Sequence, residues 1–437
     1  MKIDELVLKQ VIEQVNPYKK YGKIVRIVGL MIESNGPEAN IGEVCFIHPK
    51  STLHRPIPAE VVGFNQEKIL LMPYSHVTDI GPDCLVESTG KSLMIKVGRS
   101  LIGETIDAIG NSLYEKKLPD GLKNYPTEQS PPNPMARQPI DKPISTGVKA
   151  IDSMLTVGKG QRIGIFAGSG VGKSTLLGMI ARNSEADVNV IALIGERGRE
   201  VREFIEKDLG EEGLKKSIVV VATSDQPALM RIKGAYTATA ISEYFRSLGL
   251  HVNLMMDSIT RFAMAQREIG LAVGEPPTTK GYTPSVFAAL PKLLERAGTD
   301  VKGTITAFYT VLVDGDDMNE PIADAVRGIL DGHFVLDRRL ASSGQYPAIN
   351  ILQSVSRLML QIVEKDHINI ANKIRQLLAT YEENSELIQI GAYNRGSDTK
   401  IDEAIFYYPK IMNFLNQGIL ENTSFDEAFN EMNQLFI

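Results

Sequence analysis

Residues Arg162–Ile180 read RIGIFAGSGVGKSTLLGMI, and no other stretch restricts the fold of this chain as much. Ile163–Phe166 is a four-residue apolar run, the length of a short buried strand. The turn Gly168-Ser169-Gly170-Val171-Gly172 follows, then Lys173, Ser174 and Thr175, then Leu176, Leu177 and Ile180 at helical spacing. A strand, a glycine-rich turn, Lys-Ser and a helix in this order make a phosphate-binding P-loop. The backbone N–H groups of the loop wrap a phosphate chain, and the helix N-terminus adds its positive dipole end. Lys173 can reach the β- and γ-phosphates, and the Ser174 hydroxyl can hold Mg²⁺. The strict pattern opens on glycine where this chain has Ala167. Alanine adopts most loop conformations outside the positive-φ region, so the variant is permitted.

A chain of 437 residues is long enough for two or three domains. Its 43% hydrophobic and 23% charged residues suit a globular protein with a full core. The net charge of −6 argues against sequence-independent nucleic-acid binding, which needs basic patches. Cys45 and Cys84, set among Val44, Phe46, Leu85 and Val86, read as buried thiols in a reducing compartment. The opening MKIDELVLKQ carries acids where a signal peptide needs an apolar core, and no apolar run approaches membrane-spanning length. A cytosolic protein is expected, free to dock on a membrane complex. The six histidines show no metal spacing.

In residues 1–20, Leu8, Val11, Ile12 and Val15 share one helical face and Pro17 ends the segment. Such a helix either folds back on its own domain or serves as a partner-binding arm. Residues 21–90 hold short β-rich runs with Asn-Gly, Pro and Gly punctuation, the pattern of a small barrel with a structural or assembly role. Residues 91–142 connect, and Glu128–Pro134 is a stiff surface linker. From Pro143 to about Val363, strands alternate with helices, as in a parallel α/β sheet. The expected strands are Ile163–Phe166, Val188–Ile194, Ile218–Ala222, Val252–Met256 and Thr304–Val313, with helices at Ser174–Arg182, Glu200–Asp208 and Thr237–Leu248. Residues 364–437 read as a small helical domain broken at Gly391, Gly396, Pro409 and Gly418.

Ligands of such sheets bind beyond the carboxyl ends of the strands, which singles out three further places. Glu196, two residues past Ile194, faces the crevice of the P-loop, where a carboxylate can orient and deprotonate a water. The alternative is a carboxylate that caps or salt-bridges the next helix, and Glu200 suits that reading or a contact with Mg²⁺ through water. Asp257 closes the apolar run Val252–Met256, the Walker-B arrangement for a metal-holding acid. Arg357, in QSVSR, is either a surface ion-pair residue or a finger for a neighbouring subunit's nucleotide. Tyr346 either stacks on a base or packs in the core.

Together, TVGKGQRIGIFAGSGVGKSTLLG, GERGREV, NLMMDSITRFAMAQREIG, GEPPTTKGYTPSVFAALPKLLERAG and QYPAINILQSVSRL resemble the ATPases of the flagellar and type III secretion export apparatus. That family is itself similar to the catalytic subunits of rotary ATP synthases. The resemblance runs over almost the whole chain. It implies an α/β RecA-like P-loop core over 91–363, an N-terminal β-barrel over 21–90 and a C-terminal α-helical domain over 364–437.

Carried over by position, the resemblance makes Gly168, Ser169, Gly170, Val171, Gly172, Lys173, Ser174 and Thr175 the phosphate cradle of ATP. Ser174 and Asp257 become the Mg²⁺ side of the site, beside which Glu200 is the further candidate read above from its position. Glu196 polarises the hydrolytic water, Arg357 is the arginine finger, and Tyr346 stacks on adenine. The implied partners are identical subunits in a ring of six, a stator-like regulator at the N-terminal helix and a stalk protein facing the Gly274–Tyr282 loop. Export chaperones and substrates at a membrane export gate complete the set. The loop AGSGVGKS and Gly198 depart from the usual synthase GGAGVGKT and threonine, and FAGSGVGKSTLLGMIAR looks more flagellar than injectisome. The expected activity is therefore Mg-dependent ATP hydrolysis that energises flagellar-type protein export. The rival readings are an injectisome ATPase, a catalytic or regulatory subunit of a rotary ATPase, and a hexameric nucleic-acid motor.

Overall fold

The computed structural model describes residues 19–50, 55–77, 79–114, 116–313, 315 and 317–437. The expected N-terminal helix with Leu8, Val11, Ile12 and Val15 lies outside them. The described residues fall into two units, one built on residues up to Met94 with Ile269–Glu275, the other on the rest.

In the first unit, β1 (Tyr21–Val28), β2 (Met31–Asn35), β3 (Glu43–His48), β4 (Ile57–Asn65), β5 (Lys68–Pro73) and β6 (Leu85–Ser92) close into an antiparallel barrel. Its strands run in the order β1-β2-β5-β4-β3-β6. Successive side chains of a strand point to opposite faces, and here one set fills the interior: Ile24, Ile32, Cys45, Ile47, Val61, Leu71 and Val86. Both cysteines are free and buried. Burial, helped by the charge of Glu43, pushes the Cys45 thiol up to about 12, so it stays protonated and unreactive.

The second unit is organised by one sheet. Across it run Val355–Ser356, Gly332–Leu336, Arg162–Ala167, Thr304–Leu312, His251–Asp257, Val188–Ile194, Ser217–Ala222 and Thr105–Asp107. All neighbours in this series are parallel except Val355–Ser356, which is antiparallel to Gly332–Leu336. The strands Val188–Ile194, Ser217–Ala222 and His251–Asp257 are buried throughout, as strands covered on both faces must be. The five expected strands all stand in this sheet. Gly332–Leu336, Thr105–Asp107 and Val355–Ser356 were not expected, because two of them are only three and two residues long and the third opens on Gly-His. Thr105–Asp107 takes the edge of the sheet from within the connecting region, registering Ile106 with Val220.

Helices Lys365–Glu383, Thr399–Leu415 and Phe425–Gln434 follow. Ile374, Leu378, Ile411, Phe414 and Met432 join the same apolar cluster as Ile165, Leu176 and Ile349, so these helices share the core of the sheet. Pro409 does not break its helix, contrary to expectation: it lies inside Thr399–Leu415. A proline there forfeits one backbone hydrogen bond, and burial of Ala404, Ile411, Phe414 and Leu415 on one face holds the rest.

Candidate active site

The strand Arg162–Ala167 runs into the loop, and the helix Lys173–Asn183 leaves it with Lys173 as its first residue. Gly170 and Gly172 have φ of 78° and 89°, the left-handed region open to glycine. Ala167 still belongs to the sheet, paired with Leu312 and Leu336, and its carbonyl accepts from the Val313 N–H at 3.1 Å. No positive φ is required of it, which is why alanine serves. The Val171 side chain is buried in the core, which leaves only its backbone to the loop. Gly168 is buried, Ser169 and Gly170 are exposed, and Ser174 is half-buried in the first turn of the helix.

Two strand ends converge on Lys173. Asp257, the last residue of its strand, accepts from Lys173 Nζ at 2.6 Å through Oδ1. The Thr310 hydroxyl donates to the same oxygen at 2.8 Å. Glu196 lies two residues past Val188–Ile194, with Oε1 3.5 Å from Lys173 Nζ. Its loop is pinned by Gly195 N–H to Ala222 O at 2.6 Å and Ser224 N–H to Glu196 O at 3.0 Å.

Burial raises the Glu196 carboxyl to about 7, the Asp257 charge adds to the shift, Lys173 opposes it, and a hydrogen bond with Glu200 raises it further. Burial works against the charge of Lys173, but Asp257 and Glu196 outweigh it and hold the ammonium above its ordinary range. A carboxyl raised to about 7 can exchange a proton at physiological pH. The value of kcat/KM for nucleotide is accordingly expected to rise with pH to about 7 and then level off, because only the ionised carboxylate accepts a proton. A profile flat across roughly pH 6–8 removes Glu196 as the base. The raised value has the opposite consequence for stability. The Glu196 contribution is complete below the ordinary carboxylate range and is lost as pH rises through about 7.

Glu200 occupies the first turn of the helix Gly198–Glu203, the favourable end for an acid, and pairs with the exposed Arg197 at 3.7 Å. Its link to Glu196 nevertheless keeps it at the rim of the site. Asp208, on the π-helical turn Phe204–Leu209, shares a hydrogen bond with Thr175. Tyr346 is brought to the loop: a methyl group on Gly172 would stand 3.6 Å from its Cε1.

Arg357 is not brought there. It follows the edge strand, where Ser356 faces Gly332 and Gly332 faces Ile163. Ile163 stands four residues before Ala167, about 13 Å along the strand. Arg357 therefore lies at the opposite end of the sheet from its own P-loop, exposed, with Nη2 donating to Arg327 O at 3.2 Å.

Two participants escaped sequence reasoning. Thr310 was hidden inside a buried strand, where a single threonine is unremarkable. Arg261 packs over Gly195, whose Cβ would meet it at 2.7 Å, and its buried Nε has no hydrogen-bond partner among the described residues. It lies four residues past Asp257, in the helix Ile259–Ala272, and that position was the available signal. A cleft of about 510 Å³, lined by Ala167, Gly168, Val313, Leu336 and Arg338, opens beside the loop.

A parallel sheet with a P-loop, a strand-end aspartate and a glutamate on the lysine defines a nucleotide-hydrolysing P-loop ATPase. Residues 147–356 match the family described as "ATP synthase alpha/beta family, nucleotide-binding domain", and residues 363–434 match "T3SS EscN ATPase C-terminal domain". The chain is 65% identical over 424 residues to the flagellum-specific ATP synthase of Bacillus subtilis (strain 168), covering 97% of each chain. It superimposes with a TM-score of 0.90 on the assembled ATPase EscN of the enteropathogenic E. coli type III secretion system, at 46% identity, covering 95% of this chain and all of that one. EscN in complex with its central stalk EscO gives 0.87 at 45% identity, with the same coverage. The chain belongs to the family of flagellum-specific ATP synthases and type III secretion ATPases.

Proposed function

We propose that this chain hydrolyses ATP in a homo-hexameric ring to energise flagellar-type protein export. The observation that carries the chemistry is Glu196, whose Oε1 stands 3.5 Å from Lys173 Nζ at the mouth of the P-loop, where burial also raises its carboxyl to about 7. The loop N–H groups bind the phosphates. Lys173 leaves Asp257 for the β- and γ-phosphates, where its charge stabilises the transition state. Glu196 orients the attacking water and takes its proton. The Ser174 hydroxyl and the Asp257 carboxylate, with Glu200 acting through water, would hold Mg²⁺, since all three offer the oxygen donors that this ion takes. Bound there, Mg²⁺ would neutralise charge on the phosphate oxygens. Tyr346 stacks on the base, and Arg357, remote from its own loop, completes the site of a neighbour.

The 65% identity with a flagellum-specific ATP synthase, against 46% with EscN, favours flagellar over injectisome export. EscN binds a central stalk, and in this chain the Gly274–Tyr282 loop is the surface assigned to such a partner. The N-terminal segment is assigned to a stator-like regulator. Export chaperones and substrates are handled in the cytoplasm, with the ring held peripherally at the membrane export gate. No helix among the described residues is long and apolar enough to cross a membrane.

The test is ATPase rate against protein concentration, with and without stalk, regulator and export-chaperone proteins. Specific activity is expected to climb with concentration as rings form, and to respond to the stalk protein. Flat kinetics with no response to any of the three overturns the proposal.

A further inference from the structure

The backbone N–H and carbonyl of Tyr346, the residue read as stacking on the base, both bond to the C-terminal helical segment. Its N–H donates to Asn416 Oδ1 at 3.2 Å, and its carbonyl accepts from the Gln417 N–H at 2.8 Å. Asn416 caps the helix Thr399–Leu415 and is exposed, whereas Gln417 is buried. The Gln417 side chain fastens the turn to the sheet unit: Oε1 accepts from the Lys149 N–H at 2.7 Å, and Nε2 donates to Gly147 O at 2.9 Å. The next residues grip the far end of the P-loop helix. Arg182 Nη2 donates to Ile419 O at 2.7 Å, and Asn183 Nδ2 donates to Glu421 O at 3.3 Å. The turn 416–421 thus touches the helix that carries the phosphate loop and the backbone that carries the tyrosine.

We propose that the turn 416–421 is a positioning clamp for Tyr346, setting the ring over the P-loop and thereby the affinity for the nucleotide base. The clamp rests on the reading of Tyr346 as the base-stacking residue. Among the described residues the Asn416 side chain bonds to the Tyr346 N–H and to no P-loop residue, so it acts on the site through the tyrosine and is a positioning residue. Its effect belongs in nucleotide affinity rather than in the cleavage step.

The experiment is a double-mutant cycle in the full chain, read as KM and kcat for ATP at fixed protein concentration. Asn416→Ala removes the acceptor from an exposed side chain, and KM is expected to rise about three- to tenfold, the effect of one lost hydrogen bond, with kcat changing less than KM. Asn416→Asp restores an acceptor and is expected to restore KM. Inhibition by inorganic tripolyphosphate, which has no base, is expected to match the parent protein. In a Tyr346→Ala background, Asn416→Ala is expected to add nothing. An equal KM increase in that background, a weakened tripolyphosphate inhibition or failure of Asn416→Asp to rescue overturns the clamp. If Tyr346→Ala alone leaves KM unchanged, the base-stacking reading falls and the clamp with it. If Tyr346→Ala raises KM and Asn416→Ala does not, the clamp alone falls.

Discussion

Glu196→Gln is expected to bind ATP and barely turn it over. Glutamine keeps the shape of the side chain and can still hydrogen-bond a water, but it accepts no proton. A general base contributes about 10²–10⁴ in rate, so kcat should fall by that factor while equilibrium ATP binding survives. The position makes the expectation sharp. Oε1 of Glu196 lies 3.5 Å from Lys173 Nζ, whereas Asp257 holds the same ammonium at 2.6 Å. Removing the Glu196 charge therefore leaves the lysine with its principal partner, and the phosphate cradle stays assembled. Single-turnover hydrolysis alongside binding of a fluorescent ATP analogue separates the two effects. Parent-like turnover in the glutamine variant would remove Glu196 from the chemistry, and loss of binding would give it a structural part instead.

Arg357→Ala is expected to lower kcat by about 10³-fold or more, the scale of an arginine finger, without weakening nucleotide binding to its own subunit. The second half follows from the sheet register, which sets Ser356 level with Ile163 and Arg357 one residue beyond, far from the P-loop that begins after Ala167. A mixing experiment reads the geometry directly. Subunits with Arg357→Ala retain an intact P-loop, and subunits with Lys173→Ala retain an intact arginine. Each is expected to be nearly inactive alone, and mixed rings are expected to recover activity at the interfaces that join an intact loop to an intact finger. If mixing recovers nothing while the rings still assemble, Arg357 does not act across subunits.

Much of this site was legible in the chain because its parts are local. A P-loop is specified within about twenty consecutive residues: apolar strand, positive-φ glycines, lysine and helix. Asp257 was legible because an acid at the end of a mostly apolar run marks a strand that delivers it to the ligand edge. Other features required the assembled sheet. Thr310 reads as an ordinary strand threonine until its strand is found beside that of Asp257. Arg261 reads as an ordinary helical arginine until Gly195 is seen beneath it. Thr105–Asp107 is too short to signal a strand and owes its conformation to the edge it completes.

Arg357 shows the division most clearly. As a sequence position it admitted a surface ion pair or a finger, and only the antiparallel edge strand placed it at the far end of the sheet from its own loop. The sequence by itself determined that the chain binds nucleotide phosphates on a parallel sheet, because strand, turn and helix preferences act over neighbouring residues. The tertiary structure decided which side chains meet. Lys173 and Asp257 are 84 residues apart and touch at 2.6 Å, and Asn416 reaches back 70 residues to Tyr346. Such contacts depend on strand order and register, which the packing of the whole core sets and no short stretch encodes.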